Sequence, residues 1–405
     1  MRRMMVWGWA LACGFSCVAC SDDDDDASPE SGKTESATEQ SGRAAATGKG
    51  GRADDDAQGG RAGKPPGAGA DGKSYEGKAD LAAFEATGLN KYLGEAKPAQ
   101  TEVVDSETHY FFDEADGPVC LRGGRFAMST RATDSEDLVI YLQGGGSCTT
   151  ALCRATETAD PKIPARGLLA ASDDENPVAH WNVVYSPYCD GSLHFGDNDI
   201  PDQNRKHHGL RNVSAALDVA REKFPKPKRI LLTGASAGGY GTIWLTDLVR
   251  LIYPDAQLFV LNDAGIAISN PTSATGFKSV LEEWGALQFM PASCDECRES
   301  PHLTPWMTWN LHHDESMTLG LFSAYEDSVI AGTFLMLDPQ VFKTALLEET
   351  GKVVDAAPER AKRFLIDGTQ HTLVNLHTTR VGDLSIGAWL AQMLDADPAW
   401  DNVLQ

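Results

Sequence analysis

Several things are scarce in this 405-residue chain, and each scarcity closes off a class of protein. Large apolar side chains are almost missing from residues 21–75, a stretch dominated by Asp, Gly, Ala, Ser and Lys. Such a segment cannot bury enough surface to offset its ordering entropy, so no packed domain is expected there. Positive charge is short as well: 35 Lys and Arg face 58 Asp and Glu, a formal net charge of −23. A nucleic-acid binder would present a basic face, so nucleic acid is not an expected partner. The charge says little about a substrate, because part of it lies in the polar stretch. No internal repeat is apparent. The apolar run within residues 1–20 is too short to span a bilayer in the mature protein.

That run reads differently. In "MRRMMVWGWALACGFSCVAC" two arginines precede an apolar stretch and then small residues, the order of a secretory signal. "VAC" at 18–20, followed by "SDDDDD", resembles a bacterial lipoprotein signal in which Cys20 becomes the lipidated N-terminus. Cys17 stands where an aliphatic residue is usual, and "ALAC", ending at Cys13, is a weaker alternative. The expected organisation is therefore a signal over 1–20, a flexible acidic, Gly- and Ala-rich tether over 21–80, and one catalytic domain over 81–405. The expected location is outside the cytoplasm, held at a bacterial membrane by the lipid or secreted.

Three of the nine cysteines fall in the signal. Six remain: Cys120, Cys148, Cys153, Cys189, Cys294 and Cys297. An even number in an exported chain suggests disulfides, although six cysteines allow fifteen pairings. Short loops favour Cys148–Cys153 and Cys294–Cys297, which leaves Cys120–Cys189. "CDEC" at 294–297 has the alternative of a redox or zinc half-site, but no second pair has zinc-finger spacing, and no metal is expected.

Within the folded part, short apolar runs alternate with amphipathic ones. Strands are expected at 138–143, 182–187, 229–234, 257–262, 318–324 and 363–367. The clearest helical patterns lie at 209–224, 237–252, 276–287 and 384–396. Strands rich in Val, Ile and Leu, each followed by a helix, predict an α/β fold with a mainly parallel sheet and helices on both faces. Sites in such sheets lie beyond the carboxyl ends of the strands.

"LLTGASAGGYG" at 231–241 meets that test. Gly234-Ala-Ser236-Ala-Gly238 is G-x-S-x-G between a strand and a helix, the nucleophile elbow of α/β-hydrolases. The small residues let strand and helix approach around a sharply turned serine, and the helix N-terminus offers free N–H groups to a developing oxyanion. An ordinary small-residue turn is the competing reading.

A serine nucleophile needs a base, and the base an orienting carboxylate, in the chain order Ser, acid, His. Only His371 and His377 follow the last expected strand. His371, four residues past "FLID" in a Gly-containing loop, is the stronger candidate. For the acid, Asp327 follows "TLGLFSAYE" and Asp263 follows "FVLN", with Glu326 a lesser candidate. Either aspartate has the alternative role of helix cap. "YLQGGGSC" at 141–148, a strand ending in three glycines, suits an oxyanion loop that acts with the N–H of Ala237. "KHH" at 206–208 and "HHDE" at 312–315 read as solvated faces or helix ends, and "NVS" at 212–214 fits a glycosylation sequon.

Together these stretches resemble the pectin acetylesterase/Notum family of serine carboxylesterases. "LQGGGSC" is similar to the family's L-E-G-G-G-W-C, with Gln143 for Glu and Ser147 for the aromatic. "SPYCDGSLHFGD" follows its Y-C-D-G block, "GASAGG" its serine block, and "SAYEDSV" its A-Y-D-S block with one residue inserted. The family's final histidine usually follows a cysteine, where this chain has "GTQH". The resemblance implies an α/β-hydrolase-like domain without a cofactor. It makes Ser236 the nucleophile, Asp327 the acid and His371 the base, with oxyanion donors at Gly145, Gly146 and Ala237. It implies removal of O-acyl, first of all O-acetyl, groups from a polysaccharide or similar ester. The rival readings are a lipid or protein deacylase, a serine peptidase, and a non-catalytic surface-binding lipoprotein on a hydrolase fold.

Overall fold

Ten strands share one sheet. In chain order they are β1 (Gln100–Val104), β2 (Glu107–Phe111), β3 (Ala127–Arg131), β4 (Leu138–Leu142), β5 (Asn182–Ser186), β6 (Arg229–Ala235), β7 (Gln257–Asp263), β8 (Thr318–Ala324), β9 (Ala361–Ile366) and β10 (Val403–Leu404). The computed structural model describes residues 78–372 and 379–405. The signal with Cys20, the tether as far as residue 77, and His377 lie outside the described residues.

The spatial order is β1-β2-β3-β5-β4-β6-β7-β8-β9-β10. From β4 onward every pairing is parallel, including β5 on β4. β1, β2 and β3 form an antiparallel edge that joins through β5. The six strands expected from the sequence are all present, each within two residues of its expected ends. The antiparallel edge was not expected. β1 is exposed along its whole length, so no alternation of buried and solvent-facing residues marks it in the sequence.

Side chains alternate across the strands. Leu138, Ile140 and Leu142 join one core, while Val139 and Tyr141 join another on the opposite face. The first core takes the helices α1 (Leu81–Glu85), α2 (Gly209–Lys223), α3 (Ala237–Ile252), α4 (Lys278–Glu283), α5 (Asp295–Glu299), α6 (Thr304–His313) and α7 (Pro339–Ala356). The second is covered by α8 (Ile386–Leu394) and by an irregular run through Ile163, Leu168, Leu169, Val178 and Trp181. Helices do lie on both faces, but very unevenly. The helix expected over 276–287 is only six residues long and stops before Gly285, whose φ of +69° breaks it. Among the described residues no helix is long and apolar enough to cross a membrane.

The chain leaves β4 for β5 on one side and then returns to β6 on the other. That reversal makes a topological switch point beyond the carboxyl ends of β4 and β6, the expected place for a site.

Candidate active site

Ser236 follows β6 directly and precedes the first residue of α3. Its φ of 57° and ψ of −119° are rarely adopted by a residue with a Cβ, at a cost of roughly 1–3 kcal/mol. Surrounding structure holds it there. Ser236 N–H donates to the Asp263 carbonyl at 2.9 Å, and Tyr240 N–H donates to the Ser236 carbonyl at 3.0 Å. The turn is possible because α3 begins almost on top of β4: a Cβ on Gly238 would run into the Leu142 carbonyl. The small residues of the motif therefore follow from backbone approach, as in a nucleophile elbow, and the ordinary-turn reading is set aside.

The acid and base candidates come together. His371 Nδ1 lies 2.8 Å from Asp327 Oδ2 and 3.0 Å from Oδ1. Asp327 is fully buried, and its Oδ1 also accepts the N–H groups of Val329 and Ile330, each at 2.9 Å. A carboxylate only accepts, so Nδ1 carries the proton and Nε2 keeps its lone pair. The pair exists because the β8–β9 pairing continues into the loops. Tyr325 N–H reaches the Ile366 carbonyl, Glu326 N–H that of Gly368, and Ser328 N–H that of Thr369, at 2.9, 3.0 and 3.1 Å. The Asp327 charge also acts on Tyr240, one turn past Ser236. Burial first, and then this charge, push the Tyr240 hydroxyl well above its usual range.

The other acid candidates are placed elsewhere. What Asp263 gives Ser236 is its main-chain carbonyl, while its carboxylate acts on Tyr141 on the opposite face of the sheet. Glu326 accepts from Gln340 Nε2 at 3.0 Å.

The glycine loop follows β4, whose Leu142 is paired with Gly234 of β6. Gly144 is the glycine packed against the elbow: a Cβ there would sit 2.6 Å from the Ala235 carbonyl and 3.1 Å from Ser236 Cβ. Gly145 lies under the Tyr188 ring, and its carbonyl accepts Thr156 N–H at 2.8 Å. Gly146 opens a short hairpin, Gly146–Cys148 with Cys153–Ala155, which the Cys148–Cys153 disulfide closes. Ala237, at the start of α3, presents an N–H that has no acceptor within the helix.

Sequence reasoning missed what holds this loop. Tyr188 N–H donates to Gln143 Oε1 at 3.0 Å, and His194 Nε2 lies 2.9 Å from the Gln143 carbonyl. The signal was available in "YCDGSLHFGD", which had been read only as a family block.

Sulfurs are joined in the pairs Cys120–Cys189, Cys148–Cys153 and Cys294–Cys297. "CDEC" is thus a disulfide rather than a zinc half-site. "KHH" is not a solvated face: His207 is fully buried in a short strand, Arg205–His207, and burial lowers its pKa to about 4. "HHDE" does end a helix, but its Asp314 is fully buried against Arg250. The sequon asparagine, Asn212, is sealed by two hydrogen bonds to the backbone of Val119.

A serine on a strained strand–helix turn and a buried aspartate–histidine pair, each following a strand of one mainly parallel sheet, define an α/β-hydrolase-like protein. A model of the pectinacetylesterase family matches residues 99–303, just over half of the chain. The chain belongs to that family. It is 28% identical over 204 residues to pectin acetylesterase 4 of Arabidopsis thaliana, 44% of this chain and 49% of that protein. It is 28% identical over 155 residues to palmitoleoyl-protein carboxylesterase notum1 of Xenopus laevis, 33% of this chain and 31% of that one. Against the mouse palmitoleoyl-protein carboxylesterase NOTUM it is 33% identical over 116 residues, 26% of this chain and 22% of that protein. The chain thus spans about half the length of the plant relatives it matches and less of the animal ones. Ser236 and the glycine loop fall within the family match, whereas Asp327 and His371 lie beyond its end.

Proposed function

We propose that this protein is a serine carboxylesterase that removes O-acyl groups, acetyl first among them, from a polysaccharide or similar ester. The observation that carries the reading is the His371–Asp327 hydrogen bond just past the carboxyl ends of β8 and β9, in the same parallel sheet whose β6 ends at the Ser236 elbow. In this reading His371 Nε2 takes the Ser236 proton as the hydroxyl attacks the ester carbonyl. Asp327 holds the imidazole in the Nδ1–H tautomer and stabilises the imidazolium. N–H groups of Gly145, Gly146 and Ala237 receive the oxyanion, and each such donor is worth roughly 10²–10³ in rate in other enzymes. His371 returns the proton to the departing alcohol, and water then releases the acid from the acyl-enzyme by the same steps.

The names of the plant relatives favour acetyl on pectin, and those of the animal relatives favour a long acyl chain on protein. Protein deacylation is therefore the second reading. Three disulfides suit an oxidising compartment, in keeping with export. The membrane attachment rests on the Cys20 signal alone.

The test is hydrolysis of p-nitrophenyl acetate and p-nitrophenyl octanoate by the full chain, with Ser236→Ala alongside and the matching p-nitroanilides as amides. Ester turnover that vanishes in the variant supports the reading, and the ratio of the two esters separates short-chain from long-chain preference. Faster anilide than ester turnover would move the reading to a peptidase. Equal rates in wild type and Ser236→Ala would remove the serine mechanism.

A further inference from the structure

One segment, 188–194, grips the glycine loop on both sides. Before the glycines, Tyr188 N–H holds the Gln143 side chain and His194 Nε2 meets the Gln143 carbonyl at 2.9 Å. After them, Cys148 N–H donates to the Gly191 carbonyl at 2.7 Å. Within the segment, Leu193 N–H donates to the Tyr188 hydroxyl at 3.0 Å, and the Tyr188 and His194 rings sit 5.0 Å apart. Leu193 and His194 both have left-handed φ values, 57° and 63°. Two consecutive strained residues without glycine persist only where the surroundings over-determine them, and here the strain turns a buried imidazole toward a single carbonyl.

We propose that His194 is a positioning residue for the proposed reaction: its Nε2–H fixes the Gln143 peptide, and through it the orientation of the Gly144–Gly146 amides facing Ser236. A carbonyl oxygen only accepts, so Nε2 must carry the proton. Burial lowers the His194 pKa against the opposing pull of Asp190 and of the Gln143 hydrogen bond. The peptide unit is rigid, so a carbonyl held at Gln143 sets the plane from which the next amides continue. Misplacing such donors by about 1 Å costs on the order of 100-fold.

The inference rests on the serine esterase reading, and its test separates the two. Full-length wild type, His194→Leu, His194→Gln and Ser236→Ala are compared on p-nitrophenyl acetate, with active sites counted by a fluorophosphonate. Loss of the donor in His194→Leu should lower kcat per titrated site by about 10- to 100-fold with little change in KM. Affinity for phenylboronic acid, a tetrahedral mimic, should fall by the same factor. His194→Gln, which keeps an N–H donor, should recover most of both. A purely structural role would lower the number of titrated sites and leave kcat per site and boronate affinity unchanged. Wild-type kcat in His194→Leu, or no advantage of Gln over Leu, overturns the proposal while an inactive Ser236→Ala leaves the esterase reading standing. Should His194→Leu fail to fold, the Gln variant and the ring itself remain as tests. Nitrogen NMR of the wild type should show His194 as the Nε2–H tautomer at neutral pH. An Nδ1–H tautomer overturns the proposal whatever the kinetics.

Discussion

The two ends of the same sheet treat buried charge in opposite ways. At the carboxyl end, the buried Asp327 holds the His371 ring through Nδ1, which leaves Nε2 outside the aspartate bond. At the amino end, Arg250 and Asp314 are both fully buried and meet at 2.7 Å. Arg250 also donates to the carbonyls of Tyr253, Pro254 and Ala256, and Asp314 accepts from Ser316. Arg360 closes the same end through the carbonyls of Leu311, Asp314 and Met317. One end leaves a ring nitrogen outside its ion pair and the other ties its groups off. The lesson is that burial of a charge marks chemistry only where some of its bonding capacity remains for a guest.

Substitutions can break this contrast, and the largest effect is expected at Ser236. Ser236→Ala should lower kcat by about 10⁶-fold, the scale for a triad serine, while the urea midpoint stays at or above wild type because a strained residue loses its hydroxyl only. Asp327→Asn comes next, at about 10⁴-fold. Its amide oxygen can keep the Val329 and Ile330 N–H bonds, which turns the NH₂ toward His371 Nδ1 and forces the wrong tautomer. A stopped assay with p-nitrophenyl acetate checks both. Asp314→Ala should do the reverse, costing about 3–5 kcal/mol in urea unfolding by leaving Arg250 charged and unpaired. Its kcat per titrated site should match wild type, and a matching loss of kcat would erase the distinction between the two ends.

The smallest effect is expected at Asp247, within α3. Among the described residues its carboxyl oxygens make no hydrogen bond of good geometry, and burial pushes its pKa well above the usual carboxylate value against the weaker opposing pull of the Trp306 indole and its own backbone N–H. A raised folded-state pKa means that the native state holds the proton more tightly. Its contribution is fully present below the unfolded value near 3.8 and is lost as pH rises toward the folded value. Asp247→Asn should therefore melt higher than wild type at pH 7, with the difference vanishing below about pH 4. Calorimetry at the two pH values would reveal a gap that fails to close.

Legibility in the sequence followed backbone crowding. The elbow and the six central strands were readable because parallel burial demands continuous apolar runs and close approach demands small residues. Asp327 and His371 were legible only as positions after strands. Their pairing depends on hydrogen bonds between two irregular loops, which leave no periodic trace. The burial of Asp314 was not legible, because a charged run at a helix end gives no sign that its partner, Arg250, lies sixty-four residues upstream on another helix. His194 was hidden by its kind of work, since a side chain that serves a backbone carbonyl matches no catalytic pattern.

The Leu142 carbonyl that crowds Gly238 also bears on how such a domain diversifies. Because the obstacle is main chain, it cannot rotate away, and a library randomised over 234–239 should return little but the starting residues. The Phe334 ring approaches Gly146 from the π-helical segment Ser328–Phe334 that Asp327 caps, and a ring can be trimmed or exchanged without moving a strand. Lineages that change substrate would then carry their variation on the acid-bearing loops and keep the serine turn as a fossil.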